Sequence, residues 1–190
     1  MKTLDFNAHE KAIAGRLEDF RQALSELRQR RTKAEGIVRT FSASPTKSGV
    51  TLALAGHSES ATLAALLAPL EDDAARIETG LRDSYIAGHA DELAKICEAY
   101  IAEKVKGREA FRKVRARKVA DAVEKLTLDD SLDNAARVRI DHEAQICEGE
   151  LLGAEQALAA ARRAIADMQR EPSFANFANA RDISANVSFV

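Results

Sequence analysis

Two long heptad seams constrain this chain more than any other feature. In the first, Ile13, Leu17, Phe20, Leu24, Leu27, Arg31, Ala34, Val38 and Phe41 follow one another at alternating steps of four and three. Such a series falls on one side of an α-helix and scatters over both faces of a strand, so it predicts a helix with one covered face. Arg31 is the single charged intruder. The seam predicts a helix over residues 7–41, roughly 50 Å long at 1.5 Å per residue. Asn7 and Glu10 form a capping-box-like pair at its start.

The second seam is Ile140, Ala144, Cys147, Leu151, Ala154, Leu158, Ala161, Ile165 and Met168, spaced in the same way. A stripe of mostly small residues (Ile146, Gly149, Gly153, Ala157, Ala160, Ala164) lies on roughly the opposite side. A helix with two apolar sides is usually buried between neighbours. The expectation is a last long helix over 131–170 that is central to a bundle or shared between subunits.

Composition agrees with long helices. Charged residues make up 31% of the 190 positions and aromatics only 5%, with three prolines and no Trp, so the apolar mass is mostly Ala, Leu, Ile and Val. The length suits one domain with a shared core. A net charge of −2 and a pI near 6.1 argue against a generally basic nucleic-acid binder. Two cysteines are too few for a disulfide framework. No apolar run is expected to approach the roughly 18 residues of a membrane span, and MKTLDFNAHEK has no stretch of signal-peptide length. The expectation is a cytoplasmic chain, or one assembled into a particle made there, with no membrane partner.

Between the seams the reading is coarser. SASPTKSG, residues 42–49, is a break rich in turn formers. VTLALAG, residues 50–56, reads as one short strand or the edge of a helix. Further helices are expected over 58–68, 69–88 and 91–127, with Pro69 and the acids after it as a start signal. Residues 171–190 keep Phe174, Phe177, Ile183, Val187 and Phe189 without helical periodicity, which predicts an extended docking tail. The fold class is therefore all-α: an elongated antiparallel bundle or set of coiled-coil hairpins over a single domain, 1–170, followed by the tail.

Four local patterns raise the question of chemistry. Gly56-His57-Ser58-Glu59-Ser60 resembles the turn that presents a hydrolase nucleophile, with Asp130 and His142 following in the right chain order. That elbow needs a strand before it and a parallel sheet around it, and this chain offers neither. Ser58 or Ser60 then reads as a helix cap after a turn at Gly56. LAKIC and EAQIC end at Cys97 and Cys147, fifty residues apart, with His89 and His142 nearby. Neither pair has the short spacing that puts two ligands on one metal, so the cysteines read as small buried hydrophobes. Lys47-Ser48-Gly49 lacks the upstream glycine of a phosphate loop.

The fourth pattern is basic. Lys104 to Lys118 carries eight Lys or Arg against one acid, and Lys104, Arg108, Arg112 and Arg115 form a stripe that could track phosphates, with Phe111 the one ring able to stack on a base. No catalytic, cofactor-binding or metal-binding residue is expected. The leading expectation is a non-enzymatic assembly protein that forms a homo-oligomer or joins a larger complex. In layout it resembles the adaptor and scaffold parts of phage particles and secretion machines. Lys104, Arg108, Arg112, Arg115, Phe174, Phe177 and Phe189 are its candidate partner-binding residues. The alternative is a regulator or inhibitor that presents helix 104–118 to nucleic acid or to a nucleic-acid enzyme. A serine hydrolase built on Ser58 is the remote third.

Overall fold

In the computed structural model, which describes residues 6–129 and 131–189, the chain is all-α. The described residues form six helices and no strand: α1 Asn7–Ala43, α2 Gly49–Asp72, α3 Ala74–Val105, α4 Arg108–Leu128, α5 Asn134–Arg170 and α6 Phe174–Asn186. Their contacts gather into two compact units. One is Asn7–Tyr85; the other runs from Ile86 onward and includes Phe6. The boundary falls inside α3, which gives its first turns to one unit and the rest to the other.

In the first unit α1 packs antiparallel on α2 and the start of α3. Ion pairs mark the register: Arg30 with Glu59 at 3.0 Å, Arg28 with Glu71 at 2.6 Å, and Arg21 with Glu78 through two bonds of 2.8 and 3.0 Å. Between them lies the first seam. Ile13, Leu17, Leu24 and Ala34 are buried, and Phe20, Leu27, Arg31, Val38 and Phe41 are half-buried. Arg31 is accommodated by Glu35, one turn on, at 2.8 Å. At the far end the buried His9 ring meets the Tyr85 hydroxyl at 3.0 Å, and Arg16 lies 5.0 Å above the Tyr85 ring.

Residues 49–72 take the helical of the two readings of 50–56 and correct the expected turn at Gly56. They are one helix, because Ala53, Gly56, Leu63 and Leu67 lie at helical spacing and are the positions α1 covers. Gly56 is not a turn. A Cβ there would stand 3.0 Å from the Ala34 carbonyl oxygen and 3.3 Å from the Ile37 Cβ, so its bare Cα lets the two helices approach closely. Ser58 caps nothing, since it sits in mid-helix, where its carbonyl accepts a bond from the Thr62 hydroxyl at 2.9 Å. Pro69 does not start a helix. It lies in the last turn, and the chain is interrupted only at Asp73, whose N–H reaches the Pro69 carbonyl at 3.1 Å.

The second unit is built the same way round a different long helix. The rest of α3, followed by α4, runs antiparallel to α5: Gln169 bonds Asp91 at 3.3 Å, Arg108 pairs with Glu155, and Arg115 with Glu150. The expected single helix over 91–127 is broken at residues 106–107. Gly107 begins α4, and a Cβ on it would come within 3.2 Å of the Phe189 carbonyl oxygen. α5 starts after Asp133, whose carboxylate accepts the Ala136 N–H at 2.7 Å. Arg137 then closes the α4–α5 connection by donating to the carbonyls of Leu126, Asp129 and Leu132.

The tail is not extended. Ser173 accepts the Asn176 N–H at 3.2 Å and starts α6, which buries Phe177, Ala180 and Ser184 on one face. This short helix packs on the C-terminal half of α5. The second apolar stripe of α5 is accordingly buried at Ala164 and half-buried at Ala157 and Ala160, but exposed at Ile146, Gly149 and Gly153. Only half of α5 is flanked on two sides.

Candidate interaction surfaces

The basic stripe comes first. Arg108 grips Glu155 with two bonds of 2.8 and 2.6 Å, and Arg115 reaches Glu150 at 2.9 Å while stacking 4.3 Å over the Phe111 ring. The Glu155 carboxyl is held below its ordinary range, first by the hydrogen bonds from Arg108 and then by the nearby cationic charge. Arg112 leans toward Glu109 at 3.8 Å, and Lys104 lies 5.3 Å from the Tyr100 ring centre. Two of the four stripe cations thus hold α4 to α5. Phe111 is buried edge-on to Phe189, 5.8 Å between centres, so it offers no face to a base.

The aromatic tail residues are also used within the chain. Phe177 packs edge-on to Phe6 at 5.3 Å and against Phe174 at 6.0 Å. Phe177 and Phe189 are buried and Phe174 half-buried. A short apolar-rich end with no long periodic run gave no hint of whether it would dock in cis; the cap at Ser173 was the available signal.

Cys97 is fully buried and its thiol is pushed up to about 11 by burial, which outweighs the easing effect of the Ser184 hydroxyl beside it. That hydroxyl is itself buried and makes no well-formed hydrogen bond. Cys147 is buried at the floor of an α4–α5 groove of about 380 Å³, whose rim mixes Arg115, Lys118 and Lys125 with Asp121, Glu143 and Glu150. No group of three or more His, Cys, Asp or Glu is placed to hold a metal among the described residues. Ser58 stands exposed on α2 without the strand and sharp turn that a nucleophile elbow requires. Asp130 lies outside the described residues.

The surface that sequence reasoning missed is α2 itself. Its inner side is spent on α1, and its outer side carries Thr51, Leu54, Ser58, Ala61, Ala65 and Pro69, all exposed and none charged. Leu54 is 67% exposed, and Leu52 and Leu66 on the flanks are 64% and 52% exposed. In a chain with 31% charged residues, five turns of uncharged outer face are unusual. Only His57 and Glu59 interrupt, to the sides. Among the described residues α2 is also the one helix long and apolar enough to cross a membrane, its best 18-residue stretch having a mean hydropathy of 1.2. Beside it, where α1 meets α2 near the turn, an open groove of about 700 Å³ is lined by Ile37, Phe41 and Leu52 with Lys33 and Thr40.

Compared with protein-family models, with curated proteins and with solved structures, the chain matches none.

Proposed function

We propose that the protein is a non-enzymatic assembly component, acting through protein–protein contacts made by the outer face of α2. The observation that carries this reading is the uncharged exposed surface from Thr51 to Pro69 on a helix whose other side is already packed. Exposed leucines at Leu52, Leu54 and Leu66 leave apolar area in water that a partner would cover, and coverage of such a patch is the dominant favourable term in association. The helix is presented on a hairpin fixed by its own seam and ion pairs, so little ordering cost attaches to docking.

The competing reading, a basic helix offered to nucleic acid, has less to stand on. Its Arg108 and Arg115 are committed to carboxylates of α5, and Phe111 is covered by Phe189. Light scattering across a wide range of concentrations tests the assembly reading. Mass rising above the 20.6 kDa of one chain supports it. A single-chain mass throughout, with no association on addition of candidate partners, removes it.

A further inference from the structure

We infer that the partner on the outer face of α2 is a second copy of this chain, docked antiparallel about a two-fold axis between Ser58 and Ala61. The inference rests on the assembly reading above and adds an occupant and a register to it. Two observations beyond the apolar face carry it.

The first is charge at the ends of the face. Lys47 stands just before α2 and Asp72 closes it. Glu71 is paired with Arg28 and Asp73 with Arg76, but Lys47 and Asp72 make no ion pair with any described residue. Lys47 is exposed in the turn at the N-terminal end of this face, and Asp72, by helical register, falls on the same side as Leu54 and Ala65. Opposite charges at opposite ends of one helix face are what an antiparallel copy of that face requires, since each end then meets its complement.

The second is shape. In antiparallel helices the numbers of facing residues sum to a constant. A register that sets Ser58 against Ala61 of the second copy sets Leu54 against its Ala65, and Lys47 against its Asp72. Leu54 then meets an alanine, and the centre is small on small, so the helices approach closely. Thr62, beside the axis, already satisfies its hydroxyl on the Ser58 carbonyl at 2.9 Å and does not lose a water-bound partner on burial. The face runs roughly 27 Å at 1.5 Å per residue. That is the small end of stable interfaces, and the dimer is therefore expected in the micromolar range.

Charge exchange reads the register directly. Lys47→Glu and Asp72→Lys should each weaken self-association on the order of tenfold, because every substitution acts twice in a two-fold dimer. The double variant should recover most of the loss. With Cys147 replaced by alanine, a short bis-maleimide linker should join two chains of Ser58→Cys and fail to join Ser25→Cys, which sits on the exposed side of α1. Circular dichroism on each variant guards against simple misfolding.

If the wild-type chain dimerises but the double variant is no tighter than the single ones and the Ser58→Cys chains stay unlinked, the assembly reading survives through another surface and this register is wrong. Were the chain instead single at all concentrations and bound through α2 to neutral phosphatidylcholine vesicles, a lipid surface would replace the second copy. Single chains that bind neither each other nor vesicles overturn the second-copy inference; the assembly reading falls with it when no candidate protein partner associates either.

Discussion

A Cβ at position 56 would stand 3.0 Å from the carbonyl oxygen of Ala34, so the crossing of α1 and α2 is set by the absence of a side chain at Gly56. The contact is with backbone, which an adjoining helix cannot move cheaply. Gly56→Leu should therefore destabilise the first unit by about 2–3 kcal/mol through overpacking. Gly15→Ala is the control. A Cβ at Gly15 meets nothing within 4 Å, and the change should stabilise by about 0.5–1 kcal/mol through helix propensity. Urea denaturation followed by circular dichroism separates the two signs.

Tail docking can be weighed in the same way. Phe177 is 1% exposed, held edge-on to Phe6. Phe177→Ala should cost about 3–5 kcal/mol, the range for a buried aromatic truncated to alanine. Phe174→Ala, half-buried, should cost clearly less. If both changes were neutral in urea melts, the tail would not be part of the core.

The Arg108–Glu155 clasp has a pH signature. The folded-state Glu155 carboxyl is held below its unfolded value, so its contribution is fully present above the unfolded value and is lost as pH falls through the lower folded value. Glu155→Gln should flatten the loss of stability on the acid side of neutrality and leave the alkaline side unchanged. The pair is half-buried at the surface and still reached by water, so the effect is expected to be modest. Melting temperature against pH for the two proteins is the measurement.

The thiols should behave unequally. Cys97 is fully buried with its thiol raised to about 11, so it should resist a thiol reagent in the native protein at pH 8. Cys147 floors an open groove and should react first. Above the unfolded thiol's value, near pH 9, the unfolded chain gains thiolate before the folded one does. Stability should then decline until pH 11 is passed, and Cys97→Ala should lessen that decline. Equal labelling rates would contradict the burial of Cys97.

The sequence reveals α1 and α5 because each turns one heptad stripe inward and exposes charge elsewhere; every seam position is buried or half-buried. α2 was opaque for the opposite reason. Its buried positions Ala53, Gly56, Leu63 and Leu67 are no more apolar than its outer Leu54, Ala61 and Ala65, so no amphipathic contrast marks it as a helix. Pro69 and Gly107 misled in different ways. Pro69 lies within the last turn of α2 instead of opening a helix, and Gly107 caps α4 where a Cβ on it would come within 3.2 Å of the Phe189 carbonyl oxygen. The tail helix was hidden by its length: thirteen residues with three buried positions give a weak period. The same lack of contrast that hid α2 as a helix is what leaves its outer face without charge.

Self-association through the outer face of α2 has a simple readout in mass. Sedimentation equilibrium on the wild-type chain and on Leu54→Asp tests it most directly, since Leu54 is too exposed for the change to unfold the hairpin. We expect a concentration-dependent mass approaching twice 20.6 kDa for the wild type and the mass of one chain for the variant. Identical masses for the two proteins at every concentration would contradict it.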